Sequence, residues 1–272
     1  MNPSRILIKL GGASLQDESI LSTLSEALRQ FRKYGYQVIL VHGGGPAINA
    51  ELARRGITWS FLQGQRVTTT EMMDVIESVL CGDINSKLVR YLGSQNIPAV
   101  GLSGADRQTL LCEAASKELG QVGAIQNVTT QWIENILQLE SSPIPVIAPI
   151  GVGLQGEAYN INADWAASHL ASALKVEYLI FLTDQAGILN LQKQLIDRLS
   201  EDQLQTLVKQ EVVTGGMLTK TRALQFALQN GVKAVRVMNT KDSIKGLWSD
   251  QIGTWCLPDE KNDWEGVSYA AV

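Results

Sequence analysis

Two glycine runs and three charged side chains carry the chemistry that can be read from this sequence. Lys9 lies near the end of a short apolar run, RILIKL at 5–10, and Gly11 and Gly12 follow at once. A lysine near the end of a buried strand is costly unless it meets an anion. Residues 38–46, VILVHGGGP, repeat the junction with four apolar residues, His42, then Gly43, Gly44 and Gly45. Pro46 suits the first turn of a following helix. A strand, a glycine turn and a helix N-terminus present free N–H groups and the positive end of the helix dipole, which suits a negative ligand. Two such junctions, one with a lysine, fit a ligand with more than one negative group. Far along the chain, Asp164 opens an Ala-rich segment and Lys220 follows a glycine pair at 215–216. Two lysines aimed at a transferring phosphoryl group would neutralise charge as it spreads over the oxygens. An aspartate between them would orient both ammonium groups and keep them protonated. On spacing alone, each of the three could instead pair with a nearby surface charge.

Other familiar motifs do not survive inspection. GVGLQG at 151–156 matches G-x-G-x-x-G literally, but the residues after it read as extended, whereas a dinucleotide fingerprint needs a helix there. No G-x-x-x-x-G-K-[ST], H-R-D, G-x-S-x-G or C-x-x-C occurs. With His42 and His169 the only histidines, a His-based metal site or hydrolase triad is disfavoured.

The elements that must position these residues alternate along the chain. Apolar runs predict strands at 5–10, 37–42, 98–102, 145–150, 159–162, 178–183, 234–238 and 253–257. Helical periodicity predicts helices at 18–33, 46–55, 70–94, 130–139, 163–174, 200–209 and 217–230. A hairpin is expected within 57–68 around Gly64, two short strands near 109–114 and 121–126 as a surface excursion, and a short strand after the turn at 187–189. Such alternation implies a largely parallel sheet between helical layers, with ligands laid across the carboxyl ends of its strands. The chain of 272 residues, 45% of them apolar, is ample for a large core. A net charge of −4 argues against a general nucleic-acid or acidic-membrane binder. Cys81, Cys112 and Cys256 are odd in number and widely spaced, the pattern of reduced thiols in a cytoplasmic protein. The first residues do not read as a signal peptide, and no run approaches a membrane span.

Ten segments, in order, resemble the amino-acid kinase family. They are IKLGG (8–12), VHGGGPAIN (41–49), GQRVT (64–68), LCGDINSKL (80–88), VGLSG (100–104), LGQVG (119–123), PVIAPIG (145–151), YNINAD (159–164), LTDQAGIL (182–189) and GGMLTK (215–220). The resemblance implies one domain over 1–272 with a three-layer α/β/α sandwich around a largely parallel sheet. Its substrate lobe would span about 1–150 and its ATP lobe about 151–272. The branch it resembles transfers the γ-phosphoryl group of MgATP to the γ-carboxylate of N-acetyl-L-glutamate, a step of arginine biosynthesis. Carried over by position, Lys9 and Lys220 are transition-state stabilisers and Asp164 organises them. Gly44 and Gly45 supply N–H groups to the phosphoryl group and substrate, Arg66 takes the substrate α-carboxylate, and Asn160 binds its backbone-like end. Gly11 and Gly12 face the phosphates. Thr183, Asp184, Gly187, Leu189, Thr214, Gly216 and Met217 border the nucleotide. Mg²⁺ rides mainly on the ATP phosphates, and no protein metal ligand is assigned.

Two departures stand out: GADR at 104–107 where the family often has G-K-D-G, and DQAG at 184–187 where it has D-V-x-G. The alternatives are a kinase of an aminoadipate derivative and a nucleotide-binding regulatory subunit without turnover. The family's arginine-inhibited hexamers carry an N-terminal helix ahead of the first strand. Only residues 1–4 precede the strand here, so a homodimer that arginine does not inhibit through that site is expected. The helix at 70–94 is its expected contact, through Met72, Met73, Ile76, Val79, Leu80 and Ile84.

Overall fold

The structure is a computed structural model that describes residues 3–12, 15, 17–242 and 252–259. In chain order its elements are β1 (Arg5–Leu10), α1 (Glu18–Lys33), β2 (Gln37–His42), α2 (Gly45–Arg54), β3 (Phe61–Leu62), β4 (Gln65–Arg66), α3 (Thr70–Glu77), a π-helical segment (Ser78–Asn85) and α4 (Ser86–Ser94). Then come β5 (Ala99–Ser103), β6 (Leu110–Ala114), β7 (Gly123–Val128), α5 (Gln131–Leu137), β8 (Ile144–Ala148), β9 (Ile150–Val152) and β10 (Ala158–Asn160). The second half holds α6 (Ala163–Ala173), β11 (Tyr178–Thr183), β12 (Arg198–Ser200), α7 (Glu201–Lys209), α8 (Gly215–Gln229), β13 (Ala234–Asn239) and β14 (Thr254–Leu257).

Eight strands form one sheet in the order β12-β14-β13-β11-β1-β2-β8-β5. All neighbours are parallel except β13 and β14. Continuous apolar runs such as RILIKL and QVILVH make this possible, because both faces of each strand must be covered. Alternate residues feed opposite cores. Leu7, Ile39, Val41, Leu179 and Phe181 pack with α5, α6 and α8 on one face. Ile6, Ile8, Val38, Leu40 and Ile180 pack with α1 and α4 on the other. The expected three layers result. β1 lies between β2 and β11, so the chain's two halves meet at the sheet centre and a crevice opens at the strands' carboxyl ends. That position brings residues 11–12, 43–45 and 183–184 together.

The structure corrects several expectations. The helix at 70–94 is not uniformly α-helical: its middle, Ser78–Asn85, winds as a π-helix. Hydrophobic spacing did not register this, since the apolar residues fit a long α-helix as well. The six residues assigned to a dimer contact are all buried within the protomer, against α2 and β8–β9, and offer no face to a second copy. The two strands near 109–114 and 121–126 are no mere surface excursion. They join β9 and β10 in a four-stranded sheet, order β10-β9-β6-β7, beside the crevice. Residues 187–189 lead into a single bridge, Leu189 to Leu195, rather than a strand. β12 was not anticipated, because three residues opening on an exposed arginine carry no periodic signal. The GVGLQG stretch is a tight β9–β10 turn with no helix after it, as read.

Candidate active site

Lys9, Asp164 and Lys220 meet although 155 and 56 positions separate the two lysines from the aspartate in sequence. Lys9 Nζ lies 2.8 Å from Asp164 Oδ1, and Lys220 Nζ donates to Asp164 Oδ2 at 2.9 Å. Each residue is at most 8% exposed, so the surface-pairing alternative fails. β1 delivers Lys9 from the sheet centre, beside Phe181 of β11. Lys220 comes from the second turn of α8, its ammonium 5.2 Å from the Phe181 ring centre. Asp164 sits in the first turn of α6, where the Asn162 side chain accepts from the N–H groups of Asp164 and Trp165. Burial alone would push the Asp164 carboxyl up, but the two ammonium groups outweigh it and hold the acid well below the usual carboxylate range. Burial, then repulsion from Lys9, pushes Lys220 down, and Asp164 opposes both. The cluster carries one net positive charge, two lysines against one aspartate, at the crevice floor.

Two cavities open on either side of Asp164. The first, about 310 Å³, is lined by Lys9, Gly12, Gly44, Gly45, Arg66, Asn160 and Asp164. The second, about 630 Å³, is lined by Asp164, Thr183, Asp184, Gly187, Leu189, Thr214, Gly216, Met217 and Lys220. Every sequence-assigned site residue but one therefore lines a cavity. The exception is Gly11, which lines neither; its N–H is committed to Leu182 O at 3.1 Å. Gly12 shows why its turn needs glycine: a Cβ there would lie 2.8 Å from Gly44 N and 2.9 Å from Gly44 Cα. The two glycine turns pack backbone against backbone.

Arg66 has the environment of an anion receptor. It is buried between the Phe61 and Trp59 rings, with its Cζ 4.9 and 5.7 Å from their centres. Its Nη2 donates to Asn49 Oδ1, while Nη1 is buried without a hydrogen-bond partner among the described residues. Burial pushes the guanidinium pKa down, a cost that a carboxylate in the first cavity would offset. Asn160 lines the same cavity and donates to Thr68 Oγ1 at 3.1 Å.

Two residues that line both cavities were not assigned from the sequence. Gly64 turns the β3–β4 hairpin at φ +79°, and a Cβ there would lie 2.9 Å from Thr219 Oγ1 of α8. The hairpin tip thus bridges the two halves of the crevice. Asn162 was legible as an N-cap, an asparagine just before an apolar helix, but not as a wall of the site. Asn49, which steers Arg66, gave no signal of its own.

This geometry, a cationic bridge between a small cavity and a larger one, suits a phosphotransferase. The chain belongs to the amino acid kinase family, whose model matches residues 4–239. It is 40% identical over 243 residues to an acetylglutamate kinase from Trichlorobacter lovleyi, an alignment covering 86% of this chain and 83% of that protein. Among solved structures it resembles smu.665 from Streptococcus mutans, with TM-score 0.81, 26% identity and coverage of 93% and 98% of the two chains. Its fold also matches a Giardia lamblia carbamate kinase, with TM-score 0.68 at 16% identity over 95% of this chain and 99% of that one.

Proposed function

We propose that this chain transfers the γ-phosphoryl group of MgATP to the γ-carboxylate of N-acetyl-L-glutamate, giving N-acetyl-L-glutamyl 5-phosphate and ADP for arginine biosynthesis. The observation that carries this reading is the Lys9–Asp164–Lys220 bridge, set where the two cavities meet. The acceptor belongs in the first cavity, its α-carboxylate on Arg66 and its backbone-like end on Asn160. The nucleotide belongs in the second, between residues 183–189 and the N-terminus of α8. A carboxylate is already ionised near neutral pH, so the attacking oxygen needs no general base. The barrier is electrostatic: two anions must approach, and charge spreads over the transferring oxygens. Lys9 from the acceptor side and Lys220 from the donor side meet that charge, while Asp164 fixes both ammonium groups. Gly44 and Gly45 contribute N–H groups at the N-terminus of α2, where the helix dipole adds positive potential. Mg²⁺, carried on the ATP phosphates, supplies further neutralisation of the leaving group.

The GADR departure lies outside the site, since residues 104–107 line neither cavity. It therefore gives no ground for preferring a longer aminoadipate-type acceptor. Coupled assay of ADP release over a panel of acceptors tests the proposal. N-acetyl-L-glutamate should support the highest kcat/KM, above the aminoadipate analogue and free glutamate. ADP release that ignores every acyl-amino acid would reject it in favour of a nucleotide-binding subunit.

We also propose that the chain works as a homodimer in the cytoplasm. Strand β5 ends the eight-stranded sheet and, among the described residues, pairs with a strand on one side only, β8. Pairing through this edge would cover it. Light scattering during size-exclusion chromatography should give twice the 29.6 kDa chain mass; a monomer at micromolar concentration would contradict the dimer. Among the described residues, no helix is long and apolar enough to cross a membrane.

A further inference from the structure

His42 is fully buried at the end of β2, one residue before the glycine turn, and has no direct role in the chemistry above. Its ring is held from both sides. Asn85 Nδ2 faces three acceptor positions: Val146 O at 2.9 Å, Leu102 O at 3.3 Å and His42 Nε2 at 3.1 Å. Carbonyl oxygens only accept, which fixes the amide nitrogen on this side. An amide nitrogen is no acceptor, so a proton on His42 Nε2 would have no partner there, and the ring proton belongs on Nδ1. Nδ1 lies 3.1 Å from Gly43 O and donates to it. Burial pushes the imidazole down to about 4, so the ring carries only that one proton near neutral pH. In a trans peptide the C=O of one residue and the N–H of the next point in opposite directions. Drawing Gly43 O toward His42 therefore turns the Gly44 N–H away from the imidazole, and Gly44 itself lines the first cavity.

The π-helical segment explains how one element does this. A π turn closes i→i+5 bonds and brings residues five apart to one side, whereas on an α-helix they point about 140° apart. Leu80 thus reaches the glycine turn and Asn85 reaches His42 just before it. Leu80 and Ile84 back Gly44 so closely that a Cβ there would lie 2.4 and 2.7 Å from their methyl groups. Asn85 holds the imidazole.

We propose that Asn85 and His42 are positioning residues: the π segment sets the imidazole tautomer, and the imidazole aims the Gly44 N–H at the phosphoryl group that, on the phosphotransferase reading above, passes through this cavity. Two variants separate aim from packing. H42N keeps an N–H where Nδ1 stood, and H42Q keeps an amide where Nε2 stood but has no donor for Gly43 O. H42Q should lower kcat about tenfold or more, with both KM values changed less than about threefold, because the lost interaction matters most in the transition state. H42N should stay within about threefold of the parent kcat, although both variants lower Tm. Equal losses of kcat in the two variants, or losses explained by the unfolded fraction alone, would overturn the proposal. A measurement without variants guards against misfolding. The chain has two histidines, and ¹⁵N NMR should find His42, identified by comparison with a His169→Gln spectrum, as the neutral Nδ1–H tautomer. An Nε2–H tautomer would overturn the proposal. A parent protein that shows the Nδ1–H tautomer but releases no ADP with any acyl-amino acid would overturn the functional reading and leave the loop geometry standing.

Discussion

Lys9→Ala and Lys220→Ala are each expected to lower kcat by ~10²-fold or more, the scale of losing one preorganised electrostatic stabiliser. The two lysines sit 2.8 and 2.9 Å from one buried carboxylate. Removing either leaves Asp164 balanced by a single cation, so the positive charge that should meet the transferring phosphoryl group is gone. The loss belongs in kcat rather than KM, because that charge matters most when the phosphoryl group lies between donor and acceptor. Lys220→Arg should not recover the rate, since a planar fork cannot take the place of a point charge enclosed beside Phe181. Steady-state kinetics on protein shown to be folded by circular dichroism checks this. Near-normal kcat in both alanine variants would remove these residues from the reaction.

Arg66→Ala should raise KM for N-acetyl-L-glutamate by about 10- to 100-fold, the worth of one or two charge-assisted hydrogen bonds. KM for ATP should move less than about twofold. The asymmetry follows from place: Arg66 lines the first cavity and not the second, and its free Nη1 has no other use among the described residues. Arg66→Lys should recover little, because an ammonium can neither sit flat between Phe61 and Trp59 nor bind a carboxylate with two parallel bonds. An equal rise in both constants would instead mean a disturbed hairpin, whose tip also reaches α8.

Much of this site was legible because its parts lie at strand–helix junctions, where glycine, lysine and cap residues are written one after another. RILIKLGG and VILVHGGGP announced both the strands and the turns they feed. What brings Lys9, Asp164 and Lys220 together is not local. It depends on β1 pairing with β2 on one side and β11 on the other, and no residue spacing encodes that neighbourhood. The assignment of those three therefore needed the family resemblance, and the geometry then gave it a physical basis. The π-helical winding at Ser78–Asn85 was illegible for a different reason. Its apolar residues fit a long α-helix as well, and the buried Asn85 that marks the difference looks like an ordinary polar position until His42 is seen beside it. The apolar excess of that stretch suits a second-copy contact on sequence alone, yet it is spent on α2 and β8–β9 within one protomer. Burial cannot be divided between core and interface from sequence alone when a helix is apolar most of the way round.

On the proposed function a carboxylate oxygen, and not water, receives the phosphoryl group. Incubation with MgATP, N-acetyl-L-glutamate and hydroxylamine tests it directly, because hydroxylamine attacks an acyl phosphate to give a hydroxamate and inorganic phosphate. Hydroxamate formed in step with ADP, requiring N-acetyl-L-glutamate and lost in Lys220→Ala, is the predicted result. ADP and phosphate appearing together without hydroxamate would show transfer to water and contradict the account.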